Sequence, residues 1–408
     1  MEDTPKGSRL HIAIFGRRNA GKSSLINALT NQEIALVSDV AGTTTDPVYK
    51  AMEILPIGPV MIIDTAGIDD VGQLGGLRVE RTMQVLNKAD LAILVVEPTM
   101  GIGDAEKELL VSIQKRKIPV VGVVNKIDLD SESQKHCQEW GAILGLPLLP
   151  VSAKDRRGIE ELKTQLIKNA PDDWEGPPII GDLVNPGDAV VLVVPIDLAA
   201  PKGRLILPQV QTIRDLLDHD AYSIVVKERE LREALDNLQR PPRMVVTDSQ
   251  EFLKADADTP PEILLTSFSI LMARYKGDLN TLVAGAKAID RLQPGDKVLI
   301  SEGCTHHRQA DDIGHVKIPR WLRQIVGGEL DFHWVSGGTF PPDIAQYKLI
   351  IHCGACMLNR REMLYRLSAA REAGVPIVNY GVLIAHVHGI LKRALSPFPL
   401  ARMILEEE

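Results

Sequence analysis

The chain has 408 residues, of which 45% are hydrophobic, and it carries a formal net charge of −8 with a mean hydropathy of +0.00. That length exceeds one ordinary core and divides into two or three domains. The acidic balance argues against nucleic acid or an anionic membrane as a partner, and no apolar run reaches the roughly 20 residues that span a bilayer.

The N-terminal stretch MEDTPKGSRL is polar and has no hydrophobic signal region, so a cytoplasmic location is expected. From there to about residue 170 the chain alternates apolar runs with helical patterns, as a parallel α/β sheet does. LHIAIFG, VMIIDTAG, LAILVVE, PVVGVVNKID and LPLLPVSA read as buried strands, and GKSSLINAL and DAEKELLVSIQKRK as helices. NAPDDWEGPP, residues 169–178, is rich in Pro, Gly and Asp and reads as a linker. In the next unit AVVLVVPID and RMVVTD read as strands, with QVQTIRDLLDHD and KERELREALDNLQ as helices. That stretch carries no catalytic constellation and is expected to serve dimerisation. A second boundary is placed around KADADTPPEI, residues 254–263. Beyond it DKVLISEGC, YKLIIHCGAC and VPIVNY read as strands and NRREMLYRLSAAREAG as a helix, with Gly374 closing it. The expected fold class is therefore α/β: a P-loop domain with a mostly parallel sheet over 1–170, then two smaller α/β domains over 178–260 and 263–408.

GRRNAGKS, Gly16 to Ser23, fits the phosphate-binding pattern G-x-x-x-x-G-K-[ST] between a strand and a helix. Its backbone amides (Gly16, Asn19, Ala20, Gly21) and the helix N-terminus with Ser24 face negative charge. Lys22 is expected to reach the β- and γ-phosphates, and the Ser23 hydroxyl to ligate Mg2+. DTAG supplies Asp64 for the magnesium shell and Gly67 to sense a γ-phosphate. NKID supplies Asn125 for the purine edge, Lys126 to pack on the base, and Asp128 to accept from guanine N1–H and N2–H2. Adenine has no matching donors, so Asp128 selects GTP. SAK (Ser152, Ala153, Lys154) is placed for a backbone contact to the guanine oxygen.

Four cysteines occur, and in a chain this large their spacing favours metal or redox chemistry over a disulfide framework. Cys304 and His306 lie upstream of His352, Cys353 and Cys356, and both groups end strands. Open α/β sheets bind ligands at that edge. A C-x-x-C pair at the mouth of a helix would have its thiol pKa values lowered by the helix N-terminus. Spacing alone leaves a zinc site and an iron–sulfur cluster both open. Cys137, His307, His315, His333, His386 and His388 are expected to be ordinary packed or surface residues.

Residues 8–170 resemble the GTPases of the Era and TrmE type. The resemblance makes AGTTTD, Ala41 to Asp46, the first switch, with Thr44 or Thr43 closing onto magnesium. It implies that K+, ligated by Asn19, supplies the charge of an arginine finger. Lys22, Thr44, Asp64 and Gly67 are then the catalytic set. Ile68 stands where Ras-like enzymes carry a water-orienting glutamine, and the stretch GQLGGLRV just before Glu80–Arg81 lacks the carboxylate that the TrmE type carries there, so slow hydrolysis is expected. Over the whole chain, C-x-H followed by H-C-x-x-C behind such a GTPase resembles the HydF family, the [FeFe]-hydrogenase maturation GTPases. That resemblance implies a [4Fe-4S] cluster on Cys304, Cys353 and Cys356, with His306, His352 or Asp311 (or its neighbour Asp312) as candidates for the fourth position. It implies a homodimeric scaffold that takes a transient two-iron precursor from radical-SAM hydrogenase maturases to apo-[FeFe]-hydrogenase. The alternative is an RNA- or ribosome-associated GTPase with a structural zinc site.

Overall fold

Apolar runs bounded by turn residues become strands when helices cover both of their faces, and most of the runs above do so here. A computed structural model describes residues 4–30, 47–68, 81–172, 174, 176–195, 205–303 and 312–407. The chain forms two compact units that divide between Glu175 and Gly176.

The first unit holds a six-stranded sheet in the order β2-β3-β1-β4-β5-β6. Its strands are β1 (Leu10–Gly16), β2 (Val48–Ile54), β3 (Gly58–Asp64), β4 (Leu91–Val96), β5 (Val120–Val124) and β6 (Leu148–Pro150). β2 runs antiparallel to β3 along the edge, and the other pairings are parallel. Helices α1 (Lys22–Thr30), α2 (Asp104–Lys115), α3 (Ser133–Leu144) and α4 (Ile159–Asn169) belong to this unit. One core joins Ile12, Ile14, Leu25, Ile93 and Leu162, and the other joins Phe15, Ile63, Leu94, Leu110 and Cys137. Alternate residues of β1 therefore feed opposite layers, as pleating requires.

The second unit contains two parallel four-stranded sheets, as expected of further α/β domains. One has the order β10-β9-β7-β8, from β7 (Ala189–Val193), β8 (Tyr222–Val226), β9 (Met244–Thr247) and β10 (Leu264–Ser267). Helices α5 (Leu207–Asp218), α6 (Leu231–Asp236) and α7 (Phe252–Asp258) connect its strands. Because β10 joins this sheet, it runs on past the boundary expected at 254–263. The other has the order β12-β11-β13-β14, from β11 (Lys297–Glu302), β12 (Asp331–Ser336), β13 (Leu349–His352) and β14 (Ile377–Asn379). Helices α8 (Phe268–Lys276) and α9 (Leu279–Ala286) follow the first sheet, and α10 (Ile318–Val326), α11 (Arg360–Glu372) and α12 (Tyr380–Val387) accompany the second. A single apolar cluster runs from Val190 and Val246 through Leu271 and Leu282 to Ile300, Ile351 and Leu383, so the two sheets share one interior.

No helix among the described residues is long and apolar enough to cross a membrane.

Candidate nucleotide and cysteine sites

In the first unit β1 delivers Gly16 to the sheet's carboxyl edge, where a Cβ on it would lie 2.5 Å from the Val95 carbonyl oxygen. Only a glycine fits so close to β4. The loop then turns at Asn19, which has a left-handed φ of 62°. Gly21 follows at φ +84°, and a Cβ on it would meet Asn125 Nδ2 at 2.3 Å. Lys22 is buried, and its Nζ donates to the carbonyls of Gly16 (3.0 Å) and Arg17 (2.8 Å). The ammonium thus lies folded over the loop whose amides are expected to receive phosphate.

Ser23 Oγ donates to Asp64 Oδ2 at 2.7 Å, while Asp64 Oδ1 is buried without a hydrogen-bond partner. Burial pushes the Asp64 carboxyl above its ordinary value, against the lowering effect of Ser23 and Lys22. A buried carboxylate with an orphaned oxygen, next to a hydroxyl, fits a hard cation such as Mg2+. Thr65 Oγ1 donates to the Ile14 carbonyl at 2.7 Å, and Gly67 follows it without regular structure. Ile68 packs against the apolar core and offers no polar side chain.

Asn125 is buried, and both ends of its amide are engaged by backbone. Nδ2 donates to the carbonyls of Ala20 (2.9 Å) and Gly21 (3.4 Å), and Oδ1 accepts from Ala153 N–H (3.1 Å). The side chain expected at the purine edge here braces the phosphate loop against the Ser152–Lys154 segment. Lys126 has a left-handed φ of 62° and its Nζ lies 3.2 Å from Glu97 Oε2. Asp128 Oδ1 accepts from Ser152 Oγ at 2.8 Å, and this bond holds the carboxyl below its ordinary pKa. Lys154 is exposed and acts electrostatically on the same carboxylate. Sequence reasoning missed the clamp beneath this loop, where Arg17 binds the buried Glu106 of α2 through two bonds of 2.7 Å. An Arg three or four residues before a G-K-S is common enough that nothing in the pattern marks it. Thr43, Thr44, the rest of the first switch and Glu80 lie outside the described residues.

In the second unit Cys353 and Cys356 sit on the connection from β13 to α11. Two backbone amides aim at Cys353 Sγ: Gly303 N–H donates at 3.0 Å and Ala355 N–H at 3.5 Å. Ala355 adopts a left-handed φ of 53° within this C-x-x-C turn. Cys353 N–H itself donates to the Ser301 carbonyl at 3.0 Å. The end of β11, two residues before Cys304, is thereby fastened to the cysteine pair. Cys304, His306, His307 and Asp311 lie outside the described residues.

The helix expected to lower the thiol pKa values does not begin at the pair. α11 starts at Arg360, and burial pushes the Cys353 thiol up to about 11 despite the two amides. His352, expected as a candidate metal ligand, is fully buried with both ring nitrogens engaged. Nε2 faces Arg366 Nη1 at 3.0 Å and Nδ1 faces the Cys353 carbonyl at 2.8 Å. Burial and the Arg366 charge lower its pKa to about 3. The ring has no lone pair left for a metal.

Glu302, which the sequence did not single out, clusters at the end of β11 with the candidate Asp312 and with His315, expected to be ordinary; their ligand atoms all lie within 4.8 Å of one another. Glu302 Oε1 accepts from Tyr380 Oη at 3.2 Å, and Oε2 lies 3.6 Å from His315 Nε2. The Glu302 charge acts on the Cys353 thiol. His315 stacks on Trp334 at 5.0 Å. Cys137 is packed in the first unit's core, and burial raises its thiol to about 11, so it has no part in either site.

Family models match three successive stretches of the chain. They are a 50S ribosome-binding GTPase domain over residues 11–126, a hydrogen maturase F dimerization domain over 179–277 and a hydrogen maturase F tetramerization domain over 280–397. GTPase Der of Wolinella succinogenes is 37% identical over 41% of this chain and 37% of its own length. The tRNA modification GTPase MnmE of Chromobacterium violaceum is 40% identical over 39% of this chain and 34% of its own length. The chain thus spans little more than a third of these relatives. Among solved structures, an Aquifex aeolicus Era variant bound to GDP and aluminium fluoride covers 61% of this chain and 99% of its own, at 21% identity and a TM-score of 0.37. The G domain of the Thermotoga maritima FeoB iron transporter covers 40% of this chain and 99% of its own, at 24% identity and a TM-score of 0.32.

Proposed function

The chain belongs to the hydrogen maturase F family, and on that premise we propose that it is a GTP-dependent scaffold for an iron–sulfur cofactor. A [4Fe-4S] cluster sits on Cys304, Cys353 and Cys356. A two-iron precursor, made by radical-SAM maturases, is held there and passed to apo-[FeFe]-hydrogenase. The observation that carries this reading is the pair of amides donated to Cys353 Sγ, one of them from Gly303, the neighbour of Cys304. Amide donors to sulfur suit a thiolate that ligates iron, and they tune a cluster's potential. When bound, such a cluster supplies one iron whose outer position exchanges.

The protein donor that best suits that position is Glu302. It precedes Cys304 by two residues, is nearly buried, and is steadied by Tyr380. A carboxylate is a harder ligand than a thiolate and yields more easily to an incoming group. His352 is spent on framework bonds, as described above.

GTP binding and hydrolysis gate the contacts with partner enzymes. Lys22 and the loop amides hold the phosphates, Ser23 and Asp64 hold Mg2+, and Asp128 with Ser152 reads guanine. Hydrolysis is slow because the stretch before Glu80–Arg81 lacks a carboxylate to position water, and K+ at Asn19, in place of a glutamine at Ile68, stimulates it. The RNA-directed alternative rests on the similarity to MnmE, which covers 39% of this chain.

Anaerobic reconstitution of the whole protein with iron and sulfide tests the cluster. A broad charge-transfer band near ~400 nm is expected, lost in a Cys353→Ser/Cys356→Ser variant. A colourless protein that binds one zinc instead, or an unchanged band in the variant, refutes the reading. Glu302→Gln keeps the band and alters the EPR signal of the reduced cluster.

A further inference from the structure

We propose that Arg366 is the positioning residue of the cysteine site, fixing the direction of Cys353 by holding the two residues to which its backbone is tied. The inference rests on the reading of Cys353 as a cluster ligand. It begins from a cost: Arg366 is 0% exposed, in the middle of α11, with its Nε buried and unpartnered. Burying a guanidinium is unfavourable unless its remaining bonds are well made, and an aliphatic side chain would fill the same space more cheaply.

Three of those remaining bonds reach the carboxyl edge of one sheet, and the fourth stays within α11. Nη1 donates to Ser301 Oγ on β11 (3.1 Å) and to His352 Nε2 on β13 (3.0 Å). Nη2 donates to the Gly337 carbonyl just after β12 (2.8 Å) and to Glu362 Oε1 (2.8 Å). One planar fork thus braces three neighbouring strand ends, which a lysine's single nitrogen cannot do at once. The Phe340 ring lies 5.3 Å from the guanidinium carbon.

The tautomer of His352 follows from its partners. Arg366 can only donate, so Nε2 must be the acceptor, and the proton resides on Nδ1, which donates to the Cys353 carbonyl. Cys353 N–H meanwhile donates to the Ser301 carbonyl. Both polar groups of the Cys353 backbone therefore end on residues that Arg366 holds. Glu362 neutralises the guanidinium, so the assembly supplies direction rather than net charge.

The test uses the full chain with Arg366→Lys, which keeps the charge, and with Arg366→Gln/Glu362→Gln, which removes both charges together. In cluster-free protein, the rate of iodoacetamide labelling of Cys353 is followed by mass spectrometry, with circular dichroism and GTP affinity as controls for folding. In both variants labelling is expected to accelerate about tenfold as the turn opens locally, with both controls unchanged. After reconstitution, both release iron to a chelator faster than the parent and show altered EPR g-values. Labelling within twofold of the parent in a variant that passes the folding controls overturns the proposal, as does a lysine variant indistinguishable from the parent. If the parent itself gives no charge-transfer band, the cluster reading fails, and the labelling rates still decide the role of Arg366.

Discussion

Asp128 shows how much one carboxylate can decide. Its Oδ1 takes the Ser152 hydroxyl, which orients the group and keeps it ionised to accept from a base. Asp128→Asn places an amide N–H2 among guanine's own donors. GTP affinity is expected to fall by about a hundredfold or more, while xanthosine triphosphate, with a carbonyl where guanine has its amino group, binds better than GTP. Isothermal titration of both nucleotides checks this, and an unchanged preference for GTP would count against the guanine assignment. The residues expected to read the base and hold phosphate could be proposed from spacing, because that chemistry orders them along successive strand ends. His352 was not legible in the same way. Adjacent to a cysteine pair it reads as a ligand, and only a guanidinium fourteen positions further on, brought over by α11, turns it into framework.

At the scale of elements, the strands read correctly from sequence are mainly the central ones. β1, β4, β5, β9, β11 and β13 are buried on both faces and carry continuous apolar runs. The four that went unread, β2, β8, β10 and β12, all lie at sheet edges, where one side needs no apolar partner. β2 reads VYKAMEI and β12 reads DFHWVS, patterns as polar as many loops. The clamp from α2 to the phosphate loop was hidden for a related reason, since its two ends are far apart in the chain. Glu106 also accepts from Gly103 N–H at 2.8 Å, so it caps its own helix as well as holding Arg17. Glu106→Gln keeps the shape and loses the charge-assisted pair. A loss of about 2 kcal/mol in the stability of the GTPase unit is expected, seen as a lower denaturation midpoint. The same variant should bind GTP more weakly, because Arg17 no longer anchors the loop's first turn.

At the scale of the molecule, the family models assign residues 179–277 to dimerization and 280–397 to tetramerization. The sheet of the first of these stretches ends in β8, an open edge with Tyr222 (51%) and Val225 (46%) exposed. Such an edge pairs readily with a second copy unless it is blocked by charge. The whole protein is expected to sediment at a multiple of its 44.7 kDa chain mass, and Val225→Lys should shift it toward the single chain. Analytical ultracentrifugation distinguishes the outcomes, and an unshifted variant would move the interface away from β8. Sequence placed the dimer-forming role in this region by finding no chemistry there. It could not name the edge, because an edge is a property of strand order and not of any one strand.

The Asn125 brace has a kinetic consequence. Its amide ties the phosphate loop to the Ser152–Lys154 segment, so moving either one apart from the other breaks a buried hydrogen bond. Asn125→Ala is therefore expected to speed the release of GDP, followed by stopped flow with a fluorescent analogue, while the groups around the bond that is broken stay in place.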